Sequence, residues 1–342
     1  MFRAAVDAMG CDDHPLPEVQ GVIQALKQYA GLKVILVGNQ SAIGKNLEKF
    51  ETKGLDLEIV HTDEFISMTE HPVNAIRKKK RASMKLAMEL VRDGQADGFV
   101  SAGNTGACMA LAKLLFNTCQ GVDRPALATA IPTIKGTTLI IDVGANVDCK
   151  SLHLEQFAIM GQIYAKLIFG IENPRVALLS IGEEEIKGNE LIKEVHQTLK
   201  KTTLNFTGNI EGKDVYTGDT DVVVCDGFTG NVALKISEGV IAAVLHLLRA
   251  ELSRNLKSKM GAMLSRSAFR NLKKKIDYSE YGGAPLLGVK RPVIICHGRS
   301  NANAIKNAVR YCRELHLTDV PRKIEEDVQM FMKARQFRQE EV

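Results

Sequence analysis

The sequence predicts a three-layer α/β/α sandwich around a mainly parallel sheet. Short β-rich runs alternate with stretches whose apolar residues recur at a spacing of three and four. Runs such as Leu139-Ile140-Ile141 and Val222-Val223-Val224 are continuously apolar, which suits strands covered on both faces. With 342 residues, 45% apolar and 25% charged, the chain is long enough to bury a sizeable core, and its composition excludes disordered and collagen-like architectures.

In chain order, the first strand run, 3–6, leads into Asp7-Ala8-Met9-Gly10. A helical stretch with Val19, Val22, Ile23 and Leu26 on one face separates it from the second run, 33–37. Further runs follow at 57–60, 98–101, 138–143, 175–180, 221–225 and 293–296. No internal repeat and no low-complexity linker marks a boundary, so a single α/β domain over 1–342 is expected.

One segment departs from the alternation. From Gly230 to about Tyr278 the pattern is helical, apolar through Val240, Ile241, Val244, Leu245, Leu248 and Leu252, then basic and amphipathic through Leu256, Met260, Met263 and Leu264. Gly261 is expected to break the second part into a hairpin of helices. The whole chain has 45 basic and 40 acidic side chains, a net charge of +5. Residues 249–275 alone carry a net +8, leaving −3 for the rest, so the basic excess is a local patch. This excursion is read either as a contact with anionic membranes or as a packed element of a dimer. Nucleic acid is not expected, because only Phe269 offers a base a stacking surface there.

Seven scattered cysteines without a CxxC spacing read as reduced thiols of a cytoplasmic protein. Asp7 interrupts what a secretory signal needs as a continued apolar run. No stretch reaches the ~18 uninterrupted apolar residues of a spanning helix.

Ligands of parallel sheets bind beyond the carboxyl ends of strands, so the residues after each run are the first candidates for chemistry. Five such segments combine Gly with Asp, Asn or Thr: Asp7-Ala8-Met9-Gly10, Ser101-Ala102-Gly103-Asn104-Thr105-Gly106, Asp142-Val143-Gly144-Ala145-Asn146, Gly182 to Asn189, and Asp226-Gly227-Phe228-Thr229-Gly230-Asn231. Glycine lets backbone N–H groups approach a ligand, Asn and Thr cap the next helix, and the helix start offers donors to an anion. Each loop alone is an ordinary capped turn. Five together, expected at one sheet edge, point to a phosphate-sized or phosphorylated ligand. Lys187, set among three glutamates in a Gly-flanked turn, and Asn231, just after Gly230, are the side chains suited to transition-state work.

Familiar catalytic signatures are absent. Gly38 to Lys45 imitates a P-loop but has one residue too many and Asn46 in place of Ser or Thr. There is no GxGxxG after the first strand, no GxSxG elbow, no HExxH helix and no Cys/His zinc spacing, so neither cofactor nor metal is expected. The absence of a side-chain nucleophile suits a reaction in which a small anion attacks a thioester. That reaction needs an anion cradle, a donor for the developing oxyanion and an exit for the thiolate.

The ordered set Ala5-Val6-Asp7-Ala8-Met9-Gly10 with Asp13 and Pro15, Ser101 to Ala107, Asp142 to Asn146, Gly182-Glu183-Glu184 with Lys187-Gly188-Asn189-Glu190, and Asp226 to Asn231 resembles the bacterial PlsX family, the acyl-ACP:phosphate acyltransferases, where ACP is acyl carrier protein. The likeness runs across nearly the whole chain. Cys11 departs from it, since the family pattern has Gly there.

The resemblance implies an enzyme that makes acyl phosphate from acyl-ACP and inorganic phosphate at the entry to phosphatidic acid and phospholipid synthesis. It implies a homodimer, a downstream glycerol-3-phosphate acyltransferase as a possible partner, and a fold similar to isocitrate and isopropylmalate dehydrogenases without their nicotinamide; peripheral association with the membrane is expected from the basic segment 249–275. Lys187 and Asn231 carry over as catalytic residues. Asp7, Gly10, Gly103, Asn104, Thr105, Gly106, Asp142, Gly144, Asn146, Glu184, Asn189, Asp226, Thr229 and Gly230 carry over as walls of the phosphate and acyl site. For an acidic carrier, the run Arg77-Lys78-Lys79-Lys80-Arg81 is the expected docking surface. Alternatives are a phosphate acetyl- or butyryltransferase using coenzyme A thioesters, a non-catalytic membrane-surface scaffold and, more distantly, an oxidoreductase.

Overall fold

The computed structural model describes residues 1–276, 280 and 282–340. All eight expected strand runs form strands: β1 (Phe2–Asp7), β2 (Leu32–Gly38), β3 (Leu57–His61), β4 (Gly98–Ser101), β6 (Thr137–Ile141), β7 (Val176–Leu179), β9 (Val222–Val224) and β11 (Val293–Ile295). Three more were not legible in the sequence: β5 (Ala126–Pro132), β8 (Phe206–Ile210) and β10 (Ala284–Leu287). β5 is alanine-rich, β8 contains Gly208 and Asn209, and β10 contains Pro285, all residue types depleted in strands.

The strands form one 11-stranded sheet in the order β3-β2-β1-β4-β11-β10-β5-β6-β9-β7-β8. Helices cover both faces. On one face α1 (Leu16–Gln28), α6 (Ser151–Ile168), α7 (Glu190–Leu199), α11 (Ala302–Leu317) and α12 (Val320–Glu340) enclose a core around Val6, Leu36, Phe157 and Leu178. On the other, α4 (Ser83–Arg92) and α5 (Thr105–Phe116) pack over β1, β2, β4 and β11, in a core that contains Ile35, Phe99, Ile140 and Val223. Full burial of both faces is what the continuously apolar strands require.

The junctions β11–β10, β10–β5 and β5–β6 are antiparallel, whereas the strands on either side of them pair in parallel. The sheet therefore consists of two parallel blocks of opposite polarity. The carboxyl ends of β1, β4 and β11 leave one edge, and those of β6, β7 and β9 leave the other. This corrects the expectation of five Gly-rich loops at one edge. The strands that invert the polarity are among the three with poor strand composition.

The expected excursion starts at α8 (Gly227–Ser253), continues through α9 (Leu256–Leu264) and α10 (Arg266–Ile276), and leaves the sheet. Gly261 does not break it. The chain turns instead at Asn255, whose Oδ1 accepts the Ser258 amide at 2.9 Å to cap α9, and again at Ser265, and Gly261 lies inside α9. Side-chain capping supplies a helix start that glycine alone does not. Tyr278 and the side chains of Lys273, Lys274 and Lys275 lie outside the described residues. α8 is long and apolar enough by length and composition to cross a membrane, yet its apolar window is wholly unburied. Val232, Ile236, Val240, Val244 and Leu247 form an exposed stripe along it. All seven cysteines are free thiols, and six are buried.

Candidate active site

On the second edge, Asp142 follows β6 and is fully buried. Its Oδ1 accepts the amides of Leu127, Gly144 and Ala145 at 3.0–3.2 Å, and its Oδ2 accepts the Asn146 amide at 2.7 Å and the Asn146 Nδ2 at 2.9 Å. Burial pushes this carboxyl up from its ordinary range, and the donors partly offset the shift. Asn146 Nδ2 also donates to the Pro125 carbonyl, so both side chains are used up in shaping the turn.

The start of α8 rests directly on this turn. A Cβ on Gly227 would lie 2.7 Å from the Asn146 carbonyl oxygen, and one on Gly230 would lie 1.9 Å from that of Asp142. Only glycine permits such an approach. Asp226 caps α8, accepting from the Thr229 amide at 2.8 Å and from Thr229 Oγ1 at 2.7 Å. Asn231 follows on the first turn, exposed, beside Gly144.

β7 neighbours β9, so the segment from Gly182 to Asn189 emerges next to α8. The Lys187 amide donates to the Glu184 carbonyl at 2.9 Å, closing a turn, and the Lys187 chain folds back over Gly182. Asn189 caps α7 through its Oδ1, which accepts the Ile192 amide at 2.9 Å. Two residues that sequence reasoning missed brace this loop. Asn209 Nδ2 donates to the Glu184 carbonyl at 3.0 Å, and buried His196 meets Asn209 Oδ1 at 3.0 Å. Neither sits in a recognisable motif, so nothing local flagged them.

Lys187 and Asn231 thus stand apart from their neighbours. Among the described residues neither side chain has a hydrogen-bond or ion-pair partner, while Asp142, Asn146, Asn189 and Asp226 are committed to the backbone. Around them lie the exposed apolar side chains of Val147, Ile181, Ile186 and Phe228. The arrangement offers a cation, an amide donor, a helix start and an apolar rim at one edge.

The other expected residues form a second cluster on the first edge. Buried Asp7 accepts the Met9 amide at 3.2 Å and the Ser101 hydroxyl at 2.8 Å, and burial pushes its carboxyl up. A Cβ on Gly10 would lie 2.6 Å from the Gly103 nitrogen. Asn104 caps α5 through Oδ1 and spends its Nδ2 on the carbonyls of Ser67, Met68 and Glu70. Thr105 and Gly106 form the first turn of α5, with Gly106 against Pro72. The run Arg77 to Arg81 sits beside this cluster: the Arg81 carbonyl accepts from Thr62, and Lys79 pairs with Glu70 at 2.6 Å. No hydrogen bond among the described residues joins the two clusters.

The chain matches the model of a family described as "Fatty acid synthesis protein" over residues 2–323. It is 50% identical over 328 residues to a protein named phosphate acyltransferase from Geotalea uraniireducens (strain Rf4), covering 96% of this chain and 94% of that one. Among solved structures it resembles a phosphotransacetylase from Streptococcus pyogenes, with a TM-score of 0.63 at 18% identity over 92% of this chain and 94% of that one. It also resembles a 4-hydroxythreonine-4-phosphate dehydrogenase from Klebsiella pneumoniae, with a TM-score of 0.52 at 14% identity over 92% and 98%. These two structures bear on the fold, which is of the dehydrogenase-like kind expected.

Proposed function

The chain belongs to the fatty acid synthesis protein family, and from that premise we propose that it moves a fatty acyl group from an acyl carrier protein thioester to inorganic phosphate, with Lys187 and Asn231 as the catalytic residues. Acyl transfer to phosphate is the activity of its family. The identity of the donor and the roles of the residues are the proposal. The single observation that carries it is that, among the described residues, Lys187 and Asn231 keep unpartnered donors on adjacent loops, while the neighbouring Asp142, Asn146, Asn189 and Asp226 are spent on shaping the turns.

In this reading, a phosphate oxygen attacks the thioester carbonyl and forms the C–O bond of the acyl phosphate. The C–S bond breaks, and the thiolate leaves with the electron pair and takes up the proton that phosphate gives up. Lys187 offsets the charge of the phosphate, and the Asn231 amide donates to the oxyanion of the tetrahedral intermediate, aided by the positive end of α8. The buried Asp142 turn holds Gly144 and the α8 start in register, and Asn209 with His196 holds the Lys187 loop. No side chain is acylated, and neither cofactor nor metal has a role. Asp7, Gly10, Gly103, Asn104, Thr105 and Gly106, on the other edge, shape a separate part of the substrate surface.

The continuous sheet supports one domain spanning the chain, with 249–275 as an excursion from it. The unburied apolar stripe of α8 supports a homodimer built along that helix, because an exposed face of this length is normally covered by protein. The basic α9 and α10, with Met263 and Leu264 exposed at the turn between them, support peripheral attachment of a cytoplasmic enzyme to anionic membranes. There the acyl phosphate product is at hand for a downstream glycerol-3-phosphate acyltransferase.

The test is phosphate-dependent conversion of acyl-ACP to acyl phosphate, trapped as the hydroxamate, run beside acyl-coenzyme A. Faster turnover with the carrier protein is expected. Preference for the coenzyme A thioester would move the chain to the phosphate acetyl- or butyryltransferase reading.

A further inference from the structure

Two adjoining cavities of about 350 Å³ and 600 Å³ share Lys290 and Arg291 in their walls. Arg92 flanks the first, and Arg322 the second. Arg92 is neutralised by Asp93 and Glu89, and Arg322 by Asp319 and Glu326. Lys290 and Arg291 are exposed and have no carboxylate partner among the described residues. The second cavity also holds Glu325, whose Oε2 accepts the Gln120 amide at 2.7 Å, and the lining is otherwise partly apolar, from Leu115 and Phe116 in one cavity and Leu317 in the other. A pair of unpaired cations over an apolar lining suits an acidic protein surface that also brings apolar contacts.

The polarity inversion of the sheet decides where this surface lies. Lys290 and Arg291 lie before β11, separated from it by Pro292, so they stand at its amino end. That end belongs to the edge from which the loops of β6, β7 and β9 emerge, the edge of Lys187 and Asn231. From β11 to β9 there are four strand steps, about 19 Å at ~4.8 Å each. Arg77 to Arg81, the denser run in the sequence, sits by the carboxyl ends of the other block and faces the wrong edge for a carrier whose arm must reach Asn231. Next to Lys187 itself the edge bears Glu183 and Glu184, which repel an acidic partner, whereas Glu185 is paired with Lys200. Docking to one side, with a flexible arm spanning the interval, resolves that conflict.

We propose that Lys290 and Arg291 form the docking surface for the acidic carrier of the acyl thioester, on the sheet edge shared with Asn231 and four strand steps from β9, which leads into it. The inference rests on the reading that the acyl donor is a carrier protein thioester. It adds where that partner binds and why the catalytic loops can remain acidic.

The experiment compares the full-length wild type with Lys290→Glu/Arg291→Glu, the milder Lys290→Ala/Arg291→Ala, and a control pair on the other edge, Lys78→Glu/Lys80→Glu. Each is measured for KM and kcat with acyl-ACP at low salt, for carrier affinity in a binding titration, and for thermal melting. Charge reversal at 290 and 291 is expected to raise KM and weaken the carrier affinity about tenfold or more while kcat stays within about twofold, with alanine intermediate and the control pair unchanged. Unchanged KM and carrier affinity in folded Lys290/Arg291 variants, or an equal loss in the control pair, overturns the docking surface. A wild type that binds the carrier through Lys290 and Arg291 but makes no acyl phosphate leaves the docking intact and removes the activity reading.

Discussion

The carbonyl oxygen of Asp142 stands 1.9 Å from the point where a Cβ on Gly230 would begin. Backbone thus lies against backbone where the β6 turn meets the start of α8, one residue before Asn231. Gly230→Ala cannot be absorbed by a rotamer change, because the obstacle is main chain. Overpacking of this kind costs about 1–3 kcal/mol or more. The variant should melt well below the wild type and, where it folds, lose activity through a displaced Asn231. A melting curve and turnover close to wild type would show that the two segments are not in this contact.

Lys187→Ala and Asn231→Ala should each lower turnover on the order of 10²- to 10³-fold, since each removes a donor aimed at developing charge. Neither side chain supports the fold through a hydrogen bond or ion pair among the described residues, so melting temperatures should stay near wild type. Single-turnover kinetics on purified variants separate this from a binding defect. Near-normal rates in both would end the assignment.

Glu18, at the start of α1, is buried. Its Oε1 accepts the Cys11 amide at 2.7 Å, and its Oε2 has no hydrogen-bond partner. Burial raises its carboxyl to about 7, against the ordinary 4.5. The folded state therefore holds a proton that the unfolded chain releases earlier. This contribution to stability is complete below about pH 4.5 and is lost as pH rises toward 7. At ~1.4 kcal/mol per unit the loss is on the order of 3 kcal/mol at most. Glu18→Gln should flatten the fall of melting temperature across that window, as thermal melts at half-unit pH steps would report. An unchanged pH profile would mean that the carboxyl is not the titrating group.

On the excursion, Met263 and Leu264 are 68% and 80% exposed at the turn from α9 to α10. Met263→Glu with Leu264→Glu should abolish sedimentation with anionic vesicles while leaving solution activity and dimer mass intact. Val240→Glu with Val244→Glu, in the α8 stripe, should instead split the proposed dimer, as read by light scattering. Dissociation caused by the first pair would assign the tip to the dimer interface, and undiminished vesicle binding would remove its membrane role.

Much of the architecture was legible because it is written in local pattern. Eight strands lay where short apolar runs were legible, five of them followed by Gly-rich loops, and Lys187 and Asn231 stood out as a cation and an amide in two of those loops. β5, β8 and β10 were missed because alanine, Gly208 with Asn209, and Pro285 carry no strand signature, and their pairing comes from tertiary contacts. The break expected at Gly261 fell at Asn255 and Ser265, because a capping side chain terminates a helix more decisively than a tolerated interior glycine.

By itself, then, the sequence determined the layer architecture and the position of the Gly-rich loops, and it singled out Lys187 and Asn231 as candidates, since periodicity and turn composition are properties of neighbouring residues. Strand direction is not such a property. Only the tertiary structure decided that β10 and β5 reverse the sheet, dividing Asp7 and Asn104 from Asp142, Lys187 and Asn231 and bringing Lys290 and Arg291 to the latter edge. It also decided which polar side chains remain free for a ligand. Hydrogen bonds such as that from Asn146 to Pro125, or from Asn104 to the carbonyls of Ser67 to Glu70, join residues more than twenty positions apart, beyond what local composition registers.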